Sequence, residues 1–193
     1  MEHANQAWIG RGVLLACGIL ELHALPGARG LDPKLQVEQR FEEFEIRAAF
    51  LFSLAKFTDW PEQSLPAGSP LIIGVVGTSP MALALERAAI GPLQGHRIVV
   101  KRFRPADEVP ACHILYFPQA EERFLPAIRD RLSRQAVFTI GETSFFLGYG
   151  GALQLFTEEG RLRFVINRPA LDHANLRVPA KVQRLAKHVI QQP

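Results

Sequence analysis

The sequence contains few of the residue types that could cross-link a fold or hold a cofactor. Among 193 residues there are only two cysteines, two tryptophans and two tyrosines, and the formal net charge is +3. Two cysteines exclude a disulfide-dense miniprotein, and a small charge excess disfavours a nucleic-acid-binding surface, which needs clustered cations. Apolar residues make up 48% of the chain, as in ordinary globular proteins, so a buried core must supply the stability.

Long hydrophobic runs are also missing, apart from a short one near the N-terminus. Arg11 precedes the apolar residues 12–20, and a Pro-Gly break leads to small side chains within residues 26–30. This pattern is typical of a secretory signal peptide, and the run is too short to cross a membrane. We therefore predict a signal peptide over residues 1–30 and an exported protein without direct membrane insertion.

Two alternatives remain open for this leader. Cleavage after Ala24 also fits the pattern, and the residues before Cys17 resemble the site at which lipoproteins are processed. After removal of the leader, Cys112 is the only thiol, so the single domain predicted over residues 31–193 has no internal disulfide.

The remaining chain alternates between helical and strand patterns. Apolar side chains recur at steps of three and four through residues 35–58, which predicts a long amphipathic helix. Buried strands are predicted at 71–76, 97–103, 112–117 and 136–140, helices at 81–89, 121–133, 171–177 and 181–191, a loop at 145–151, and a hairpin at 152–167. The order predicts a single α/β domain with a mixed β-sheet flanked by helices on both faces and a long N-terminal amphipathic helix.

The turn after the first strand has two interpretations. Gly74 and Gly77 lack both the spacing of a dinucleotide-binding motif and the lysine of a phosphate-binding loop. A tight strand-to-helix turn is the favoured interpretation. The alternative is an anion held at the N-terminus of the following helix.

The sequence shows no clear catalytic or metal-binding motif. Cys112 and His113 are adjacent, and neighbours in a strand point to opposite faces, so they cannot form a dyad. The histidines lack metal-ligand spacing, so we expect no metal, no cofactor and no enzymatic activity. A secreted hydrolase stays a third possibility, and it requires a buried nucleophile beside His113 or His173.

Several segments together resemble one known family. Residues 47–61, from Arg47 to the Trp60-Pro61 pair, resemble the opening helix of the YfiR/HmsC family. Four later segments resemble it in the same order, at residues 73–77, 112–116, 150–153 and 163–167, and residues 176–186 resemble its closing segment.

The resemblance implies a periplasmic regulator. Members of this family are small secreted dimers that bind the periplasmic domain of an inner-membrane diguanylate cyclase and repress it, which lowers cyclic-di-GMP and biofilm formation. By resemblance, we expect the same partner, a homodimer, and no nucleic acid. The alternative is a periplasmic small-molecule-sensing accessory domain for a receptor or histidine kinase.

The resemblance also suggests site residues. Leu153, Val165 and Leu171 match positions attributed to the cyclase-binding surface, and Arg177 matches a candidate for binding an anionic small ligand. Val165 stands where the family commonly has an acid implicated in binding the cyclase, so the resemblance leaves the identity of the partner open. Cys112 matches a family cysteine but has no partner, so an internal disulfide cannot control this chain. An intermolecular bond would need Cys112 to lie at an exposed dimer edge.

Overall fold

The computed structural model describes residues 33–104, 111–132 and 135–191, and the predicted signal peptide lies outside them. The strands of this part are β1 (Leu71–Val76), β2 (Ile98–Phe103), β3 (Ile114–Tyr116), β4 (Phe138–Gly141), β5 (Leu153–Glu158), β6 (Arg161–Asn167) and β7 (His188–Ile190). The helices are α1 (Pro33–Phe57), α2 (Pro80–Ala88), α3 (Leu125–Leu132), α4 (Ser144–Gly148), α5 (Arg168–His173) and α6 (Ala180–Gln183), with a 3-10 helix at Gln119–Phe124.

The seven strands form one mixed sheet in the order β2-β1-β3-β4-β5-β6-β7. All neighbours are parallel except β5 and β6, which form an antiparallel hairpin. The chain passes from β1 outward to β2 and then returns to the other side of β1 at β3. At such a reversal, the carboxyl ends of the two diverging strands, here β1 and β3, are the usual position of a ligand-binding crevice.

Helices cover both faces of the sheet, as predicted. Helices α1 and α2 close the larger core, where Leu51, Leu85 and Ile73 are fully buried. Helices α3 and α4 close a second core on the opposite face, around Phe117 and Phe146. None of the described helices is both long and apolar enough to span a membrane.

Local sequence signals account for several of these elements. The Ser79 side chain accepts a hydrogen bond from the Met81 N–H at 3.2 Å, and Pro80 occupies the first helical position of α2. At the hairpin, Glu159 and Gly160 both have positive φ, 49° and 69°. A two-residue turn of this kind matches the twist of the strands, whereas the sequence pattern predicts a three-residue turn over residues 158–160.

The helix expected over residues 171–177 spans Arg168–His173 instead, and two other predicted segments in the second half of the chain are wrong. The helix expected over residues 181–191 ends at Gln183, and His188–Ile190 instead forms β7, which pairs in parallel with β6. The loop expected at 145–151 contains α4. Within it Phe146 is fully buried, whereas Phe145 is 74% exposed. Both segments are short and take their conformation from contacts that are distant in sequence.

Candidate functional site

The crevice at the carboxyl ends of β1 and β3 contains an acidic side chain. A Cβ atom on Gly77 would lie only 2.5 Å from Oε1 of Glu121, so this carboxylate fills the space above the turn. A negative charge here opposes a bound anion. The structure therefore favours the tight-turn interpretation of Gly74 and Gly77.

A group of polar side chains, which we call the Arg47 cluster, lies at the same edge of the sheet. It consists of Arg47 and Glu43 on α1, Tyr116 on β3, Glu142 after β4, and Thr157 on β5. The Tyr116 hydroxyl donates a hydrogen bond to the Glu142 carboxylate. Arg47 lies 3.5 Å from the same carboxylate and 2.7 Å from that of Glu43. The cluster therefore ties α1 to three strands.

Arg47 and Tyr116 do not change protonation state near neutral pH. Burial raises the pKa of Tyr116 well above its ordinary value, and the charge of Glu142 raises it further. Burial alone would lower the pKa of Arg47, but its hydrogen bond with Glu43 and the nearby acidic groups raise it overall. A general acid or base at neutral pH needs a pKa near 7, so these two groups are suited to structure rather than to proton transfer.

A second carboxylate organises the start of α4. Glu122 is only 4% exposed and accepts hydrogen bonds from the Thr143 N–H, at 2.9 Å, from the Thr143 hydroxyl and from the Glu142 N–H. These groups precede the helix, where unpaired N–H donors require acceptors. Glu122 therefore supplies a cap from a distant part of the sequence.

Cys112 and His113 do not form a dyad. Cys112 lies in the α3–α4 core, where burial raises its pKa to about 12, so its thiol stays protonated and unreactive. His113 points the other way, accepting from the Ile72 N–H at Nδ1 and donating from Nε2 to the Ser64 carbonyl, both at 2.9 Å. Because β3 lies between β1 and β4, Cys112 is not at an exposed edge.

Acidification is expected to destabilise the fold through His113. Its pKa is lowered from the ordinary 6.5, chiefly because burial disfavours the imidazolium. The unfolded chain therefore binds the proton more readily than the folded chain. The free energy of unfolding keeps its full value above about pH 6.5 and falls as the pH decreases toward the lowered pKa. Urea unfolding at several pH values measures this slope.

A matched pair of variants tests whether His113 causes this dependence of the free energy of unfolding on pH. His113→Gln removes the titrating group and is expected to flatten the dependence on pH. His188→Gln, at an exposed position on β7, is expected to keep the wild-type slope. Equal slopes in wild type and His113→Gln would contradict the assignment.

The hairpin presents a partly exposed surface on the side of the sheet opposite α1. On this side lie Gln154 and Phe156 of β5, Arg163 and Val165 of β6, and His188 of β7, which together we call the open face. Val165 pairs with Gln154 on one side and with His188 on the other, and Phe156 pairs with Arg163. The surface therefore has an apolar centre beside basic and polar side chains.

The three predicted partner-binding residues do not lie on one surface of the structure. Val165 is half-buried on the open face, whereas Leu153 is fully buried and Leu171 is only 2% exposed, both within the core against α1. Strand alternation explains the difference, because Leu153 and Val165 have opposite parity in the hairpin register. Both leucines are buried in this conformation, and their role in partner binding stays a prediction.

Arg177 lies elsewhere, near the end of α1. Its backbone forms a bridge with Asp59, at 2.9 Å and 3.3 Å, and its side chain is exposed. Among the described residues no carboxylate lies within 4.0 Å of its guanidinium. The neighbouring Trp60 has a buried indole N–H without a described acceptor. Arg177 as a ligand-binding residue stays a prediction.

Comparison with known proteins identifies the family of the chain. The sequence model of the YfiR/HmsC-like family matches residues 44–187, which run from the middle of α1 to the residue before β7. The chain belongs to the YfiR/HmsC-like family. This family comprises periplasmic, non-catalytic regulators of diguanylate cyclases. The Arg47 cluster and the open face lie within the matched segment except for Glu43, which directly precedes it, and His188, which directly follows it.

The other comparisons add little. A crystal structure described as a conserved domain protein from Vibrio cholerae O1 biovar El Tor str. N16961 is 14% identical, with a TM-score of 0.48. The similarity covers 76% of this YfiR/HmsC-like chain and 60% of that chain, so this chain spans well under the whole length of that protein. Comparison with curated proteins gave no match.

The sequence pattern missed several residues of these surfaces. Glu142 and Glu122 gave no signal, because their partners are far away in the sequence. Phe156 and Arg163 lie on the open face by simple alternation from Val165, so the hairpin register could have identified them. Among the described residues no group of three or more His, Cys, Asp and Glu side chains is placed to hold a metal ion.

Proposed function

We propose that this protein represses an inner-membrane diguanylate cyclase by binding the cyclase's periplasmic domain through the open face. Family membership supports a periplasmic regulator of these enzymes. The observation that carries the choice of surface is the position of Val165, which is half-buried between Gln154 and His188 and remains accessible. Export through the predicted signal peptide would bring the protein to the compartment of its partner.

The composition of the open face indicates the chemistry of the partner surface. Phe156 and Val165 offer apolar contact, while Arg163 and His188 offer cationic or hydrogen-bonding groups beside them. Lys187 lies 5.7 Å from the Phe156 ring and forms an ion pair with Glu158. With valine in place of the family's acid, the complementary surface is apolar with acidic groups at its border.

Repression requires preferential binding to the inactive cyclase. A hundredfold change in the active fraction corresponds to about 2.7 kcal/mol of differential affinity between the two states. A few well-buried aromatic or arginine anchors supply that amount in ordinary interfaces. Phe156 and Arg163 are the residues of these types on the open face. The proposal also includes a homodimer, because characterised family members are dimers.

Site-specific photo-crosslinking in living cells tests the surface. A benzophenone amino acid at position 165 is expected to cross-link to a membrane protein with a diguanylate cyclase domain, identified by mass spectrometry. The matched control carries the same amino acid at Leu83, which is 38% exposed on α2, away from the open face. Cross-linking to the cyclase from position 83 but not from 165 would contradict the proposed surface. The absence of any cyclase adduct from both positions would contradict the proposed partner.

A further inference from the structure

A groove of about 840 Å³ lies on the same side of the sheet as the open face. Its walls come from α3, α4 and α5, and its floor comes from Thr139, Asn167 and Ile190. This volume is in the range of small-molecule sites in proteins. Arg177 does not line the groove, so it is separate from the ligand position that the family resemblance suggested.

The groove has a mostly apolar lining, and the buried polar side chains in it already form hydrogen bonds. The Asn167 side chain donates to the Gly151 carbonyl at 3.0 Å and accepts from the Ala170 N–H at 3.4 Å. The Thr139 hydroxyl accepts from the Ala152 N–H at 3.0 Å. Because these buried groups already have partners, an occupant gains most by burying apolar surface against the aliphatic walls. Those walls include Leu125, Leu132 and Leu147, and Ile190 adds apolar surface on the floor.

A cationic side chain is held at the mouth of the groove. A Cβ atom on Gly150 would lie 3.4 Å from Cδ of Arg129, so the aliphatic part of Arg129 rests against this turn. Its Nε lies 3.7 Å from Asp130, which also lines the groove, and the pair is weak because both side chains are largely exposed. His173 also lines the groove. The guanidinium therefore remains able to bind an acid group of an occupant.

We propose that this groove binds a small amphipathic anion, with its apolar body between α3, α4 and α5 and its acid group at Arg129. Asn167 and Ile190, which pair in the floor, lie two positions beyond Val165 and His188 on the same strands. A bound ligand therefore lies beside the open face. An effect on the cyclase rests on the proposed function, whereas the binding of the ligand does not.

Two fluorescent probes with one skeleton separate the apolar and anionic contributions. 8-Anilinonaphthalene-1-sulfonate carries a sulfonate, and N-phenyl-1-naphthylamine lacks it. Both are expected to bind saturably to the folded protein purified from the periplasm. Arg129→Gln is expected to weaken binding of the sulfonate about tenfold, as for loss of a charge-assisted hydrogen bond, and to leave the neutral probe unchanged. Arg131→Gln, an exposed control on the same helix, is expected to change neither.

A second variant tests the location. Gly148 lines the groove, and a Cβ atom on it would meet nothing within 4 Å, so Gly148→Phe adds a ring at the groove without a backbone clash and is expected to weaken binding of both probes. Ala49→Phe, at an exposed position on α1, is the control. Circular dichroism and thermal melting establish that the variants are folded. The proposal is overturned by absence of saturable binding, by unchanged binding in Gly148→Phe, or by equal effects of Arg129→Gln on the two probes.

These outcomes are independent of the proposed partner. If the probes bind as expected but deletion of the gene leaves cyclic-di-GMP unchanged, the groove is a ligand site and the repressor function is wrong. If deletion raises cyclic-di-GMP and Gly148→Phe binds both probes normally, the repressor function stands and the ligand site is wrong.

Discussion

Replacing Arg47 with methionine is expected to lower the free energy of unfolding by about 2–3 kcal/mol. Arg47 is 9% exposed and is the cation that faces both Glu142 and Glu43. Its removal leaves a partly buried carboxylate beside Tyr116 without its positive partner, and broken buried pairs typically cost about 3–5 kcal/mol. We expect a loss below this typical range because the carboxylates of Glu142 and Glu43 both keep some contact with solvent. Urea denaturation at neutral pH measures the change.

Two further variants show whether the loss comes from the ion pair. Arg40→Met lies two turns earlier on α1 at an exposed position and is expected to change stability by less than about 0.5 kcal/mol. The double variant Arg47→Met with Glu142→Gln removes the unpaired charge and is expected to recover part of the loss. A single variant as stable as Arg40→Met would show that the Arg47 cluster does not tie α1 to the sheet.

The largest loss of stability is expected for Phe146→Ala, at about 4 kcal/mol. Phe146 is fully buried, and its ring fills the space that Cβ atoms on Gly141 and Gly151 would need. Its centroid lies 5.3 Å from that of Phe117. Loss of the ring leaves a cavity between two glycines that carry no side chain to fill it. Chemical denaturation gives the difference in the free energy of unfolding.

The adjacent Phe145 provides the control. It is 74% exposed, so Phe145→Ala removes the same group from the same short helix with little loss of buried surface. We expect that variant to unfold within about 0.5 kcal/mol of the wild type. Similar losses for the two variants would mean that α4 does not dock through Phe146.

Much of the fold follows from local pattern in the sequence. The uninterrupted apolar run at β1, the serine and proline at the start of α2, and the glycine of the hairpin each predict their element correctly. Strand β7 is different, because its three residues have no period of their own and become a strand by pairing with β6. Helix α4 likewise depends on Glu122, which precedes it by more than twenty residues.

The candidate site is less accessible to sequence reasoning than the fold. The family resemblance suggested one role for three residues, of which Val165 lies on the open face whereas Leu153 and Leu171 are buried. Burial depends on which side of the sheet a residue faces, and that requires the hairpin register. The groove is formed by three helices and three strands, so no single segment of sequence encodes it.

The central claim is that this protein represses a diguanylate cyclase from the periplasm, and cellular cyclic-di-GMP tests it most directly. We would measure the nucleotide after deletion of the gene and after restoration with and without residues 1–30. The account predicts a rise on deletion that only the exported form reverses. An unchanged level where a candidate cyclase is expressed, or reversal by the form lacking residues 1–30, would contradict it.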